Sequence, residues 1–367
     1  MNVPRARTGP APAPDPARPA AAGPAPAAVP APGRRRTATL SAGLLVAGAV
    51  LALAVVASLA VGAKPVPLGT VWDTVFHHDP SDPDQLIVTS LRLPRTVIGL
   101  LTGAALGLSG TLMQGLTRNP LADPGLLGVN AGASLAVVAA ISVFGIGSFT
   151  GYVWFGFAGA AAAALLVHAV GSLGREGATP VKLALAGAAV SAGLSSLTTA
   201  VLLTDTATFD QFRFWQVGSL AGRELSTAYQ AGPFLLIGAG CALCSGRLLN
   251  TLGLGDDTAR SLGQNVAAAR LFCALSVVLL CGSATALAGP IAFVGLTVPH
   301  AVRFFTGPDH RWILPYSMLV APALLLVSDV VGRVVARPGE VQVGIVTAVI
   351  GAPVLIVLVR RSRPAGV

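Results

Sequence analysis

Residues 39–63, TLSAGLLVAGAVLALAVVASLAVGA, run without one charged side chain, and similar runs recur along the chain. At ~1.5 Å of rise per residue, about 20 such residues cross the hydrocarbon core of a bilayer as a helix. Lipid offers the backbone no hydrogen-bond partners, so only helices and closed barrels can span it. The runs do not alternate with period two, which argues against a barrel. The sequence therefore predicts an all-α polytopic membrane protein. Composition agrees: 11% of residues are charged and 53% hydrophobic, against about 25% charged in soluble domains. That is too little charge to cover a water-facing surface of this size.

About ten transmembrane helices are expected, near 39–63, 93–115, 125–146, 152–173, 181–203, 229–246, 267–288, 291–306, 312–335 and 341–359. An even number returns both termini to one side. Arg34, Arg35 and Arg36 precede the first run, and Arg360, Arg361 and Arg363 follow the last. The positive-inside bias then predicts cytoplasmic termini. On this topology Trp72, His77 and His78 lie in an outer loop, 174–180 forms a short inner turn, and 204–226 is a long outer segment. Arginines also fall in outer loops, so the bias is incomplete. The net charge of +9 does not indicate nucleic acid, because the basic residues sit at segment ends without interleaved aromatics. Residues 1–38 are rich in proline and alanine and are predicted to be a disordered cytoplasmic tail, leaving 39–367 as the transmembrane domain. The tail is not read as a signal peptide, because the apolar run after it is too long and lacks a cleavage site.

Gly99, Gly103 and Gly107 recur every four residues on one face of the second span, a spacing that lets helix backbones approach closely in lipid. Cys241, Cys244, Cys273 and Cys281 all lie in apolar runs and are read as packing residues without a disulfide. His168 and His300 stand alone and are read as packed side chains. No phosphate loop, dinucleotide glycine pattern, HExxH or paired-cysteine site occurs, so neither cofactor nor metal is expected. Asp329 is the one carboxylate deep in a late span. It fits a proton relay, or an ion pair with Arg333 four residues on.

Two polar segments interrupt the pattern. In LTRNPLADPGLLGVNAGAS (116–134), Pro120 and Pro124 stop one helix before the next begins. Asn119 and Asp123 are placed to cap freed N–H groups. In 246–265, TLGLGDDTARSLGQN reads as a short amphipathic helix flanked by glycines. Asp256 and Asp257 suit the positive end of its dipole. Such a helix is either a docking surface for a cytosolic partner or an ordinary loop.

These segments carry a resemblance. LRLPRTVIGLLTGAALGLSGTLMQGLTRNPLADPGLLGVNAGAS (91–134), LGLGDDTARSLG (252–263), ALAGPIAFVGLTVPHAVRFFTGPDHR (286–311) and the stretch from LLLVSDVVGRVVA to the C-terminal arginines (324–361) closely resemble the FecCD family. Its members are permease subunits of ABC importers for ferric siderophores, haem and vitamin B12 in the cytoplasmic membrane. The resemblance covers nearly everything after residue 39. It implies ten helices per subunit and a second permease subunit, identical or paralogous, with the translocation path along their interface. It also implies two cytosolic ATP-binding subunits and an extracytoplasmic substrate-binding protein. ATP hydrolysis then belongs to a partner, and this chain is a transporter subunit, not an enzyme.

Residue by residue, the resemblance implies that Arg92, Arg95 and Arg333 receive glutamates of the binding protein. Gly253, Leu254, Asp256, Asp257, Ala259, Arg260, Leu262 and Gly263 form the ATPase coupling helix, a rigid piece bounded by glycines. Thr179 and Pro180 align with an inner gate. The break at Asn119, Pro120, Asp123 and Pro124 shapes the inner side of the pathway, and Thr102, Ser109, Met113, Asn130 and Ser134 face it. NPLADPGLLGVNAGAS and FDQFRFWQVGSLAGR (209–223) look more like ferric-siderophore permeases than like vitamin B12 or haem permeases. On hydropathy alone a proton-coupled carrier, a channel or a membrane scaffold stays open.

Overall fold

The computed structural model describes residues 34–77, 79–173 and 179–361. The expected tail up to residue 33, His78, most of the expected inner turn (174–178) and Arg363 lie outside the described residues. The chain packs as two units, residues 1–39 and 40–367. Of the first, only the opening turn of a helix is described.

The described residues form helices and no strand. In order they are α1 (Arg34–Ala60), α2 (Leu68–Phe76), α3 (Pro83–Ile87), α4 (Leu93–Thr117), α5 (Val129–Ser142), α6 (Phe149–Gly171), α7 (Pro180–Thr204), α8 (Thr206–Gln216), α9 (Leu225–Cys244), α10 (Gly246–Gly253), α11 (Asp256–Ser261), α12 (Val266–Ala288), α13 (Val294–Thr306), α14 (His310–Val335) and α15 (Val343–Arg361). A π-helical turn, Val88–Arg92, joins α3 to α4. Each expected span coincides with a helix, and seven helices are long and apolar enough to cross a membrane. Three expected spans are shorter or less apolar: α5, α13 and α15. α1 begins at Arg34, inside the expected tail. The expected outer loops contain α2 and α8.

Local chemistry sets the boundaries. Prolines open α3, α4 and α7, where a missing N–H leaves no bond unmade. Asp82, Asn265 and Asp309 cap α3, α12 and α14 by accepting backbone N–H bonds. Such a cap contributes about 1 kcal/mol.

α4 runs through the centre of the bundle, and four-fifths of its most apolar stretch is buried (78%). Its glycine face meets α14. A Cβ at Gly103 would overlap the Pro322 backbone, and one at Gly107 the Ser317 carbonyl. Gly110 meets Gly295 of α13 in the same way. A second seam joins α5 to α6, where Gly132 and Gly159 each face the other's carbonyl. Backbones this close trade side-chain volume for dispersion contact, the packing that lipid favours. α7 is lightly buried, with only 17% of its apolar stretch covered, and α1 more lightly still at 11%. The four cysteines are free.

Candidate functional site

α4 and α14 run antiparallel, so the start of one lies beside the end of the other. At that end four arginines converge. Arg95 grips Asp329 through Nε, at 3.0 and 2.9 Å from the two carboxylate oxygens, and through Nη2 at 2.7 Å. Its Nη1 donates to Glu340 at 2.7 Å. Arg333 donates to the same Asp329 at 3.0 Å and to the Ser58 carbonyl and hydroxyl, each at 3.0 Å. Arg92 donates to the Leu59 carbonyl at 2.6 Å and to that of Lys64. Arg337 donates to the Gly62 carbonyl at 2.6 Å.

The three arginines expected at this mouth are thus brought together, but they are buried: Arg92 is 5%, Arg95 9% and Arg333 2% exposed. Their charge is met from within, by Asp329 and by carbonyls freed at the end of α1. For Asp329 the local ion pair holds. Two guanidiniums occupy its acceptor positions.

A cleft of about 530 Å³ opens over the cluster, lined among others by Lys64, Arg92, Arg95, Arg223, Arg333 and Glu340. Arg223 did not stand out in the sequence, although it belongs to the outer-loop arginines that the positive-inside bias leaves unexplained. Burial lowers its guanidinium to about 10, against the opposing pull of the Tyr152 hydroxyl. It also donates to the Ser219 carbonyl at 3.4 Å.

The break between α4 and α5 is built as its residues predict. Asn119 accepts from the Leu121 N–H at 2.9 Å, and Asp123 from the Gly125 N–H at 2.7 Å. Pro124 opens a 3-10 turn, Pro124–Leu127. Gly128 closes the turn at φ +73°, where glycine carries no steric penalty. Arg118, which ends α4, holds φ +52°, a left-handed conformation that costs a non-glycine residue about 1–2 kcal/mol.

Beyond the break, Asn130 and Ser134 line a second cleft of about 500 Å³, with Ser191 and Ser195 of α7 opposite. The Thr285 hydroxyl of α12 donates to Asn130 at 2.9 Å. Thr102, Ser109 and Met113 do not share this cleft. They are 0%, 0% and 2% exposed inside the subunit's own core. α4 is central, so its polar side chains turn into the bundle. Thr179 caps α7 by accepting from the Lys182 N–H at 3.4 Å, and Pro180 is the first residue of that helix.

The opposite end carries the second polar segment. A short helix bounded by glycines is expected from Gly253 to Gly263; the structure holds one there, α11, and it starts later, at Asp256. Gly253 ends α10, Gly255 breaks the chain at φ +107°, and Gly263 closes α11 at φ +81°. Ala259 is fully buried, whereas Leu254 and Leu262 are 63% and 64% exposed. Asp257 is exposed and pairs with Arg260 at 3.0 Å. Asp256 turns inward to Arg118 and to Arg270, which donates at 2.9 and 2.8 Å. Burial raises the Asp256 carboxyl, but Arg270 and Arg118 outweigh it and hold the group below the ordinary carboxylate range. Arg95 and Arg118 lie about 35 Å apart along α4 at ~1.5 Å per residue, so the two polar ends sit on opposite faces of the bundle. Among the described residues no cluster of His, Cys, Asp and Glu could hold a metal.

Residues 50–361 match the FecCD transport family. The chain is 50% identical over 324 residues to the ferric enterobactin transport system permease protein FepD of Escherichia coli, covering 88% of this chain and 96% of that protein. It is 42% identical over 330 residues to the Fe(3+)-citrate import system permease protein YfmD of Bacillus subtilis, covering 90% and 98%. Among solved structures, an inward-facing metal-chelate type ABC transporter superposes with a TM-score of 0.76 at 30% identity, covering 88% of this chain and 99% of that one.

Proposed function

The chain belongs to the FecCD transport family, and from that membership we propose that it is the membrane-spanning permease subunit of an ABC importer for ferric-siderophore complexes. The observation that carries this is the 50% identity to a ferric enterobactin permease, sustained over 88% of the chain. It is a multi-pass integral membrane protein and a transport subunit. Hydrolysis of ATP falls to partner ATPases, and substrate is delivered by a separate binding protein. Both termini are cytoplasmic, which puts the arginine cluster outside and α11 inside.

The parts take their roles from this orientation. At the outer mouth, Arg92, Arg95 and Arg333 provide the field that glutamates of the binding protein meet. The internal pairing supports a docking role for Arg95 in particular, because its second partner, Glu340, is one-third exposed and an incoming carboxylate can compete with it. Such charge pairs set orientation and on-rate more than affinity. On the inner face, Leu254 and Leu262 present apolar side chains around α11, the contact for one of two ATPases.

A second permease subunit, a copy or a paralogue, covers the lightly buried α7. The cleft between α5 and α7, lined by Asn130, Ser134, Ser191 and Ser195, then faces the shared path. Its small, weakly polar wall suits a bulky chelate that must pass without being held. Thr179 and Pro180 at the inner end of α7 serve as a gate.

Uptake of ferric enterobactin by proteoliposomes holding the assembled importer tests the proposal. Import should require internal ATP and the binding protein and should survive dissipation of the proton gradient. Import that persists without ATP and stops with a protonophore would refute it.

A further inference from the structure

Asp256 is the first residue of α11, and its carboxylate, 27% exposed, turns back onto the bundle. It joins two parts of the bundle distant in sequence: Arg118, which ends α4, and Arg270, near the start of α12. The three side chains are 36%, 27% and 18% exposed in the order Arg118, Asp256, Arg270. Partly buried pairs of this kind are screened less than surface pairs.

Each arginine leads to one end of the polar break. Arg118 is its first residue. Arg270 is fixed in α12, and fifteen residues further along the same helix Thr285 holds Asn130, where the break gives way to α5. That is about 22 Å of continuous helix at ~1.5 Å per residue. Asn130 also lines the α5–α7 cleft. One carboxylate on the exposed helix is therefore tied to both ends of the segment that shapes the cleft.

We infer that Asp256 is a positioning residue that passes a displacement of α11 to the 118–130 segment, through Arg118 at one end and through Arg270 and α12 at the other. The inference rests on the proposed reading of the chain as an ATPase-driven permease. Leu254, Leu262, Asp257 and Arg260 face the partner, and Asp256 faces inward. Contact with the motor and transmission of its stroke are thus assigned to different side chains of one short element.

The test is a double-mutant cycle in proteoliposomes holding the assembled importer, with ferric enterobactin as the probe and ATP hydrolysed per chelate imported as the readout. R118Q and D256N should each raise that ratio at least about tenfold, and the double variant should exceed the worse single by no more than about twofold, because both act on one link. D256E, which keeps the carboxylate, should recover most of the wild-type ratio. Arg118 is partly exposed and outside the core, so R118Q keeps the test interpretable if D256N fails to assemble. Unchanged ratios in the single variants, or effects that multiply in the double, would overturn the inference. So would loss of ATPase copurification in R118Q, since Arg118 would then serve docking. Wild-type vesicles that import without ATP would overturn the proposed function itself, an outcome distinct from unchanged ratios in an ATP-driven importer.

Discussion

Asp329→Ala isolates the energetics of the arginine cluster. In the native chain the carboxylate is fully buried and receives Arg95 at 2.7 to 3.0 Å and Arg333 at 3.0 Å. After the substitution Arg95 keeps Glu340 at 2.7 Å. Arg333 keeps only the neutral oxygens of Ser58, with its side chain 3% exposed. Removing one partner of a buried pair leaves an uncompensated charge and costs about 3–5 kcal/mol. The retained Glu340 contact puts the expectation near 3 kcal/mol, or about two decades in the unfolding equilibrium. Taking out the charges together, as in R95M/D329L/R333M, removes the desolvation penalty along with the attraction and should cost less than about 2 kcal/mol. Thermal or SDS-induced unfolding of the purified subunit in lipid-containing micelles measures both. A D329A midpoint equal to wild type would refute the reasoning. A triple variant less stable than D329A would do the same.

Three further outcomes follow from the same geometry. Gly107→Val drives a branched side chain into the Ser317 carbonyl of α14; overpacking typically costs about 1–3 kcal/mol, so the folded yield on size-exclusion chromatography should fall sharply, while Gly193→Ala, with open space around it, should leave it unchanged. The Asp256 carboxyl is held below its ordinary value, so its contribution is full above the unfolded pKa of about 3.9 and is lost as pH falls through the lower folded value; amide exchange of α11 should be equally protected from pH 8 to 5 and loosen only in stronger acid, with the loosening moved upward in R270Q. Pro124→Ala frees the φ angle that seeds the Pro124–Leu127 turn; at about 1 kcal/mol or less of lost stability the protein should still express, yet chelate uptake should drop several-fold, and wild-type uptake would show that the turn does not shape the path.

Local features of the fold were legible in the sequence because neighbouring residues cause them. Span length follows from the thickness of lipid, the Gly99, Gly103 and Gly107 face from helical periodicity, and the break from Pro120 and Pro124 with the caps at Asn119 and Asp123. The ion pair of Asp329 with Arg333 could be read as a candidate because both lie on one turn of one helix. Family membership was equally readable, since long motifs survive in order along the chain. The start of α11 at Asp256 and not at Gly253 was not legible, because a helix-like string of residues around a glycine does not reveal a φ of +107° at Gly255.

What the sequence determined by itself is a bundle of apolar helices, its close-packed glycine face, its two polar interruptions and its family. Only the tertiary structure decided which charges meet. Arg95 finds Asp329 from 234 residues away, and Arg118 finds Asp256 from 138. It likewise turned Thr102, Ser109 and Met113 into the core, while Asn130 and Ser134 line an open cleft. The physical reason is that helical periodicity fixes which residues share a face, whereas the partner that covers each face, and so the charge or cavity it meets, is set only when distant helices close on one another.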